Sequence, residues 1–158
     1  MPAEDLKTAD LYDELGESLQ SVSIQFQSLG ARTHFSGPAR TIRCFQDNAL
    51  VKAVLATPGA GAVLVVDGGG SLATALMGDM IAESAVENGW AGAVFHGAIR
   101  DREAIAKLPL GVKALGSNPR KSAKTGAGET DVVLVLDGVT IRPGAMVYCD
   151  PDGILVER

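Results

Sequence analysis

Three charged residues stand at a spacing that could bring them into one cleft. Twenty residues separate Asp79 from Arg100, and Asp101 follows directly. An interval of that length fits a helix, a tight turn, a buried strand and a second turn. Both charged positions would then lie at one end of a sheet, where open α/β sheets bind their ligands. Two carboxylates beside a guanidinium suit a small anionic substrate held next to a divalent metal ion.

The backbone around Asp79 could itself bind an anion. Gly78 interrupts the helical pattern, which makes Asp79 a candidate N-cap and leaves the amides of Met80 and Ile81 free. Free amides at the N-terminus of a helix attract negative charge. The alternative is that Asp79 only caps its own helix, which is a common role for aspartate.

Arg100 and Asp101 each allow a catalytic and a structural interpretation. Arg100 follows a buried strand, where it would offer a fixed fork to a substrate carboxylate or form an ion pair with Asp79 or Asp101. Asp101 could ligate Mg²⁺, which often takes one or two protein carboxylates, or it could cap the next helix. His96, just before Gly97, is interpreted as a polar residue at a strand end with no metal role.

The elements that would position these residues alternate between strand and helix over the first two thirds of the chain. Apolar runs predict one or two strands at 33–45, with a bend or bulge at Gly37-Pro38, and further strands at 62–66, 91–95 and 112–115. Helices are predicted at 8–19 with Thr8 as N-cap, between Asp47-Asn48 and Pro58-Gly59, at 79–88 with Gly89 as its stop, and just before Leu108. A turn is predicted from Gly97 to Asp101.

The last part of the chain is predicted to be rich in short strands. Segments 132–136, 139–141, 145–148 and 154–156 are apolar and are separated by Asp-Gly, Pro-Gly and Asp-Pro-Asp-Gly turns. With 158 residues, the chain fits one domain that can bury a real core. The prediction is therefore a single α/β domain over 1–158, layered around a mixed β core.

Composition restricts the classes of partner and compartment. The net charge of −5 argues against nucleic-acid binding, although it leaves a basic protein partner open. No apolar run approaches the roughly 20 residues that span a bilayer, and the acidic first residues lack the apolar core of a secretory signal. Cys44 and Cys149 lie in apolar strand-like runs, which favours buried, reduced thiols. A cytoplasmic protein is expected, without a membrane or nucleic-acid partner.

A glycine-rich segment imitates a nucleotide-binding motif. Gly68-x-Gly70-x-x-Ala73 follows a strand and matches the loose dinucleotide pattern. The next predicted strand runs into His96-Gly97 with no acid to hold a ribose. The same segment lacks the alternating glycines of a methyltransferase motif, because its three glycines are contiguous. We therefore expect these glycines to allow a tight turn and a close approach to a neighbour or ligand.

A small basic loop follows the predicted core strands. Arg120, Lys121 and Lys124 stand there with Ser122 and Thr125. Such a run is most simply a solvated surface. The alternative is a contact to an anionic ligand or to a neighbouring subunit.

The chain resembles the RraA-like family over nearly its whole length. That family contains divalent-metal aldolases acting on 4-hydroxy-4-methyl-2-oxoglutarate, and the regulator of ribonuclease E activity. The resemblance implies a ββα layered fold of the swivelling-domain type, and a homotrimer with active sites at subunit interfaces. It depends on the order and spacing of five segments: Cys44-Phe45-Gln46-Asp47-Asn48, Val65-Val66-Asp67-Gly68-Gly69-Gly70-Ser71, Gly78-Asp79, Gly97-Ala98-Ile99-Arg100-Asp101 and Asp150-Pro151-Asp152-Gly153-Ile154.

The resemblance also implies roles for individual residues. The family's aldolase motif, an Asp followed after twenty residues by Arg-Asp, is matched by Asp79, Arg100 and Asp101. Asp101 would ligate Mg²⁺ or Mn²⁺, Arg100 would bind the α-keto acid end of the substrate, and Asp79 would hold a water of the cation. The segment from Gly78 to Ile81, including Met80, would supply backbone amides to the substrate.

Two functions follow from the resemblance. The first is a metal-dependent aldolase that cleaves the six-carbon aldol to two pyruvates, with oxaloacetate decarboxylation as a side activity through the same enolate. No lysine belongs to the motif, so no Schiff base is expected. The second is a non-catalytic regulator that restrains ribonuclease E by surface contact. Retention of both Asp79 and Asp101 favours the aldolase.

Overall fold

A computed structural model describes residues 5–158 of the chain. Within that range, no helix is long and apolar enough to cross a membrane. The helices are α1 (Thr8–Leu15), α2 (Ala49–Leu55), α3 (Asp79–Glu87) and α4 (Arg102–Ile105), with a 3₁₀ turn at Gly16–Ser18. The strands are β1 (Leu19–Val22), β2 (Gln27–Ser28), β3 (Phe35–Arg43), β4 (Val63–Asp67), β5 (Gly92–Ile99), β6 (Gly111–Ser117), β7 (Glu129–Thr130), β8 (Leu134–Leu136), β9 (Val139–Ile141), β10 (Met146–Asp150) and β11 (Gly153–Glu157).

A large mixed sheet organises the fold. Its strands follow the order β1-β11-β10-β3-β4-β5-β6-β2, and β7 pairs with β3 at one end. The pairs β3–β4, β4–β5 and β5–β6 are parallel, whereas β10, β11, β1 and β2 pair antiparallel. Helices α2, α3 and α4 connect the parallel strands, so the carboxyl ends of those strands meet at one edge.

Two apolar layers cover opposite faces of the parallel strands. Alternating residues of each strand point to alternate faces, so Leu64 and Phe95 pack against the helices while Val65 and Val94 pack on the other side. The helical layer includes Val51 of α2. The second layer is formed by the β8–β9 hairpin with β10 and β11. The prediction of a layered ββα architecture with a mixed β core is confirmed.

Strand β3 joins the two parts of the sheet at the predicted bend. Its first half pairs with β10 and its second half with β4, and the change of partner falls at Gly37-Pro38. A Cβ at Gly37 would lie 2.1 Å from the carbonyl oxygen of Gly61, so only glycine fits where these backbones meet. One continuous strand therefore passes from the antiparallel to the parallel region.

The predictions for the N-terminal segment need correction. Helix α1 ends at Leu15 rather than at residue 19, and Leu19 begins β1, which pairs with β11. Thr8 is not the N-cap, since Lys7 holds that position. The amide and hydroxyl of Thr8 instead donate to the carboxylate of Asp150, each at 2.7 Å. The helix prediction depends on Leu11, Leu15 and Leu19, which are spaced four residues apart, and the pairing of β1 with β11 overrides that pattern.

The predicted turn from Gly97 to Asp101 is also wrong in its first half. Strand β5 continues to Ile99, because Ala98 and Ile99 pair with β6 after a register shift that follows Phe95. The chain therefore turns only at Arg100 and Asp101, directly at the carboxyl end of the strand. The short strands β1, β2 and β7 were not predicted, since each has too few apolar residues to give a periodic pattern.

Candidate functional site

The N-terminus of α3 and the end of β5 meet through one carboxylate. Gly78 is the N-cap of α3, and Asp79 is its first residue, so the prediction that Asp79 caps the helix is wrong. The carboxylate of Asp101 takes that role instead, because its Oδ2 accepts a hydrogen bond from the amide of Asp79 at 3.0 Å. A Cβ at Gly78 would lie 2.7 Å from this oxygen, so glycine allows the approach.

Asp101 occupies an unusual backbone position. It stands at the N-cap position of α4 with φ 62° and ψ 45°, in the left-handed region, and its side chain makes no capping bond to α4. Asp101 therefore has the backbone position of an N-cap, as its structural interpretation expects, but its side chain does not bond to the amides of α4. The left-handed turn directs the carboxylate back towards α3, and its exposed second oxygen has no hydrogen-bond partner in residues 5–158.

Arg100 is held through its backbone and leaves its guanidinium largely available. Its amide donates to the carbonyl of Met77 at 2.9 Å, which ties the end of β5 to the segment before α3. Its Nη1 makes a long contact of 3.4 Å to the carbonyl of Pro119. Among the described residues it forms no ion pair with Asp79 or Asp101, so the structural alternative for Arg100 is not realised.

All six residues singled out from the sequence line one cleft. The cleft encloses about 280 Å³ and contains Gly78, Asp79, Met80, Ile81, Arg100 and Asp101. A wider cleft of about 710 Å³ is also lined by three of them, Asp79, Arg100 and Asp101. These three charged groups therefore form a wall that both clefts share. Their chemical roles remain predictions.

The smaller cleft also has a basic wall. Lys121 and Lys124 line it together with Lys52 of α2, so the cleft holds four basic and two acidic side chains. Both lysines are exposed, which agrees with the interpretation of this loop as a solvated surface, and their contact to an anionic ligand stays a prediction. The excess of positive charge, combined with the α3 amides of Met80 and Ile81 that have no partner within the helix, favours a ligand with more than one negative charge.

The acidic groups suit a divalent cation that keeps most of its waters. No group of three or more His, Cys, Asp or Glu side chains is clustered for metal binding anywhere in residues 5–158. Zinc sites that use three or four protein ligands are therefore not matched. Magnesium is commonly held by one or two carboxylates together with waters and ligand oxygens. Asp101, with one free carboxylate oxygen, fits that pattern.

The glycine-rich segment packs against the protein's own side chains. Ideal Cβ atoms at Gly69 and Gly70 would lie 2.9 Å from Phe45 and 3.4 Å from His96. Both glycines have positive φ, so the segment is a tight turn, as expected from the sequence. His96 lies within β5. Its Nδ1 is buried, has no hydrogen-bond partner among the described residues, and lies 3.8 Å from Oδ1 of Asp67.

Sequence reasoning missed several residues of the cleft. They include Lys52 and Asn48 from the α2 region and Ser84 of α3. The Oδ1 atom of Asn48 is buried without a partner in the described structure. The spacing of the apolar residues Leu50, Val51, Val54 and Leu55 predicts only the buried face of α2, and Asp47-Asn48 is a candidate cap at its start. The Cys44–Asn48 segment resembled the family, which was the one signal that could have directed attention there.

Fold and cleft together define a layered α/β protein with a charged cleft at the carboxyl ends of its parallel strands. The chain belongs to the RraA-like family, whose model, described as Aldolase/RraA, matches residues 8–156. This assignment confirms the resemblance noted from the five sequence segments. The family description covers both aldolases and RraA proteins, so membership alone does not decide between catalysis and regulation.

Solved structures give the same fold under different functional names. A protein from Geobacillus kaustophilus, named as an S-adenosylmethionine:2-dimethylmenaquinone methyltransferase, is 49% identical with a TM-score of 0.95, covering 96% of this chain and 94% of its own. The RNA-processing inhibitor RraA from Thermus thermophilis is also 49% identical, with a TM-score of 0.94 and coverage of 97% and 93%. RraAS2 from Streptomyces coelicolor, an unusual member of the RNase ES inhibitor RraA family, is 32% identical with a TM-score of 0.73 and coverage of 94% and 76%.

Proposed function

We propose that the protein is a divalent-metal-dependent aldolase that cleaves 4-hydroxy-4-methyl-2-oxoglutarate to two molecules of pyruvate. We further propose that it decarboxylates oxaloacetate as a side activity. The observation that supports this proposal most strongly is the shared wall of Asp79, Arg100 and Asp101. All three residues line the same cleft, and none of them forms an ion pair among the described residues.

The cleft can hold both ends of a dicarboxylate. The keto acid end fits the side of the cleft with Arg100 and the amides of Met80 and Ile81, where a fork and a helix N-terminus both favour a carboxylate. The second carboxylate would then face Lys121 and Lys124. A monocarboxylate would leave this basic wall without a counter-charge.

Arg100 would stabilise the charge that develops during bond cleavage. When the bond between C3 and C4 breaks, its electron pair forms the enolate of pyruvate, and negative charge grows on the former keto oxygen. A guanidinium placed there lowers the energy of the transition state more than that of the bound substrate. Protonation of the enolate at C3 then yields the second pyruvate. Decarboxylation of oxaloacetate forms the same enolate, with CO₂ as the leaving group.

Asp79 would help to remove the proton of the C4 hydroxyl. Its side chain is only partly exposed and has no hydrogen-bond partner in residues 5–158, so it is free to orient a water that accepts this proton. Asp101 would hold Mg²⁺ or Mn²⁺ while its Oδ2 fixes the start of α3. The cation, when bound, supplies Lewis-acid polarisation of the keto acid oxygens.

A coupled assay tests this proposal. Pyruvate production from oxaloacetate and from the six-carbon aldol is followed through lactate dehydrogenase, with Mg²⁺ and with EDTA. We expect turnover only with the cation, loss of turnover in Asp101→Ala, and a loss of at least about 10²-fold in Arg100→Ala. Because free cations also decarboxylate oxaloacetate, the rate at the same Mg²⁺ concentration without protein is subtracted as the background. Equal rates in the variants, or full activity in EDTA, would contradict the proposal.

A second candidate function is the regulation of a ribonuclease. The observation that favours it is the 49% identity to a structure named as an RNA-processing inhibitor. In that case binding would occur through the surface and would survive loss of Asp101. A pull-down with purified ribonuclease E, using wild type and Asp101→Ala with EDTA present, separates this function from the aldolase. Equal capture of both proteins supports regulation, and no capture of either removes it.

We also infer a homotrimer with its active sites near subunit contacts. Three large apolar side chains are exposed around the carboxyl ends of the strands: Phe45 at 63%, Leu72 at 49% and Met80 at 79% exposure. Met80 lines the smaller cleft, so a neighbouring subunit that covers it would also narrow the site. A light-scattering mass of three chains is expected, and a monomeric mass would contradict the inference.

A further inference from the structure

The loop that carries Lys121 and Lys124 is anchored by a buried carboxylate that does not line the cleft. Asp47 is 3% exposed, and its Oδ2 accepts hydrogen bonds from both the amide and the hydroxyl of Thr125. Its Oδ1 accepts from the amides of Gly126 at 3.3 Å and Ala49 at 3.2 Å. These four bonds, led by that from the Thr125 hydroxyl, hold the pKa of Asp47 below its ordinary value. The carboxylate therefore stays ionised at neutral pH.

Further backbone contacts fix the loop on both sides of its lysines. The amide of Ala123 donates to the carbonyl of Gln46, and the amide of Asn48 donates to the carbonyl of Ala123, each at 3.0 Å. On the other side, Ala75 donates to the carbonyl of Arg120 at 2.8 Å. The loop is thus attached to the start of α2 and to the segment before α3. Both are walls of the same cleft.

We propose that Asp47 is a positioning residue, which holds the loop so that Lys121 and Lys124 direct their charges at the far carboxylate of the substrate. This inference rests on the proposed function and adds to it the source of selectivity for dicarboxylates. Lysine side chains are flexible, so their usefulness depends on where their backbone is held. The hydrogen bonds of Asp47 hold that backbone in place, and Asp47 itself does not line the cleft.

The chemistry at this position requires a carboxylate rather than an amide. All four partners of Asp47 are donors, and an ionised carboxylate offers acceptor sites on both oxygens. In Asp47→Asn, one oxygen becomes an NH₂ group that faces a donor. Either Thr125 or the pair of Gly126 and Ala49 then loses its acceptor, and the loop is released on one side.

The test compares two variants that remove equivalent carboxylates. Asp150 is 4% exposed and also accepts four hydrogen bonds, from the amide and hydroxyl of Thr8 and the amides of Asp152 and Gly153, but it lines neither cleft. Asp150→Asn therefore controls for lost stability. KM and kcat for oxaloacetate with Mg²⁺, and amide hydrogen exchange over residues 120–126, are measured for both variants. Thr125→Val is a milder second variant that removes only the hydroxyl donor.

We expect Asp47→Asn to raise KM about five- to tenfold with kcat within about twofold, since the far carboxylate is held alike in ground and transition states. Exchange over 120–126 should accelerate at least about tenfold, while Asp150→Asn leaves both quantities unchanged. In a Lys121→Ala, Lys124→Ala background, Asp47→Asn should have no further effect on KM. If Asp47→Asn does not fold, Thr125→Val should show the same changes at smaller size.

Several outcomes would overturn the inference. An unchanged KM in Asp47→Asn or Thr125→Val, with wild-type turnover intact, removes the positioning role while leaving the proposed function standing. An additive effect in the double-lysine background shows that Asp47 acts by another route. A wild-type protein without any turnover removes the proposed function and this inference together.

Discussion

The substitution Gly78→Ala should reduce activity while leaving the fold nearly intact. Gly78 has φ −116° and ψ −169°, which alanine adopts without strain, so the new methyl group is the only perturbation. That methyl would lie 2.7 Å from Oδ2 of Asp101, whereas ordinary contacts begin at 3.4 Å. The carboxylate must therefore move by about 0.7 Å, and its hydrogen bond to the amide of Asp79 is lost.

The expected magnitude follows from that displacement. Misplacing a catalytic group by about 1 Å can cost 10²-fold in rate, so a loss of roughly 10- to 100-fold in kcat/KM is expected, or about 1.4–2.7 kcal/mol. The unfolding free energy should fall by about 0.5–2 kcal/mol, because the hydrogen bond from the amide of Asp79 is lost and alanine is a poorer N-cap than glycine. The assay is oxaloacetate decarboxylation with saturating Mg²⁺, beside thermal unfolding.

A matched control is available in β6. Gly116 also has no positive φ, and a methyl group there would meet nothing closer than 3.7 Å. Gly116→Ala should therefore retain wild-type activity. If Gly78→Ala also kept its kcat/KM within about twofold of wild type, the contact between Gly78 and Asp101 would have no bearing on catalysis and the reasoning would be refuted.

Three further predictions concern stability and thiol reactivity. Asp101→Ala removes the carboxylate that accepts from the start of α3 and should lower the unfolding free energy by about 0.5–2 kcal/mol in urea titrations; an unchanged value would show that the bond is not formed in solution. Burial acts to raise the pKa of Asp150, but its hydrogen bonds, led by that from Thr8, outweigh burial and lower this pKa. The pKa of Asp47 is also lowered, so the stabilisation from both carboxylates is present above about pH 4 and is lost as the pH falls through the lowered pKa values. Tm between pH 2 and 6 should therefore fall less steeply in Asp47→Asn and Asp150→Asn than in wild type. Burial, with Asp47 and Asp67 nearby, raises the pKa of Cys44 to about 11, and burial also raises the pKa of Cys149. Ellman's reagent should therefore label neither thiol at pH 8 until the protein is unfolded. Rapid labelling of the native protein would contradict the burial of these thiols.

The parts of the fold that were predictable have strong local patterns. The runs at β4 and β5 are continuously apolar because both faces are covered, and α3 ends one residue before the predicted position, with Gly89 at φ +76° just beyond it. The strands β8 and β9 are connected by Asp137 and Gly138, whose positive φ values are typical of a two-residue hairpin turn.

The parts that were not predictable depend on distant pairing. Strand β1 has too weak a pattern to be separated from the preceding helix, and only its register with β11 defines it. The side chain that caps α3 comes from Asp101, twenty-two residues along the chain from Asp79, so no local rule for caps could identify it. That Lys52 and Lys124 line one cleft likewise depends on the backbone hydrogen bond between Asn48 and Ala123, which no local pattern predicts. The sequence pattern therefore predicts the charged motif of Asp79, Arg100 and Asp101, but not the residues that surround it in the cleft.

The most direct test of the catalytic account is exchange of the methyl protons of pyruvate for deuterium, followed by NMR. Exchange requires the enolate and nothing else of the reaction, so it tests whether Arg100 and Asp101 act together on a keto acid. The account predicts exchange with Mg²⁺ or Mn²⁺, none above background in EDTA, and losses of at least about 10²-fold in Arg100→Ala and Asp101→Ala. Exchange that is absent from the metal-loaded protein, or equally fast in both variants, would contradict it.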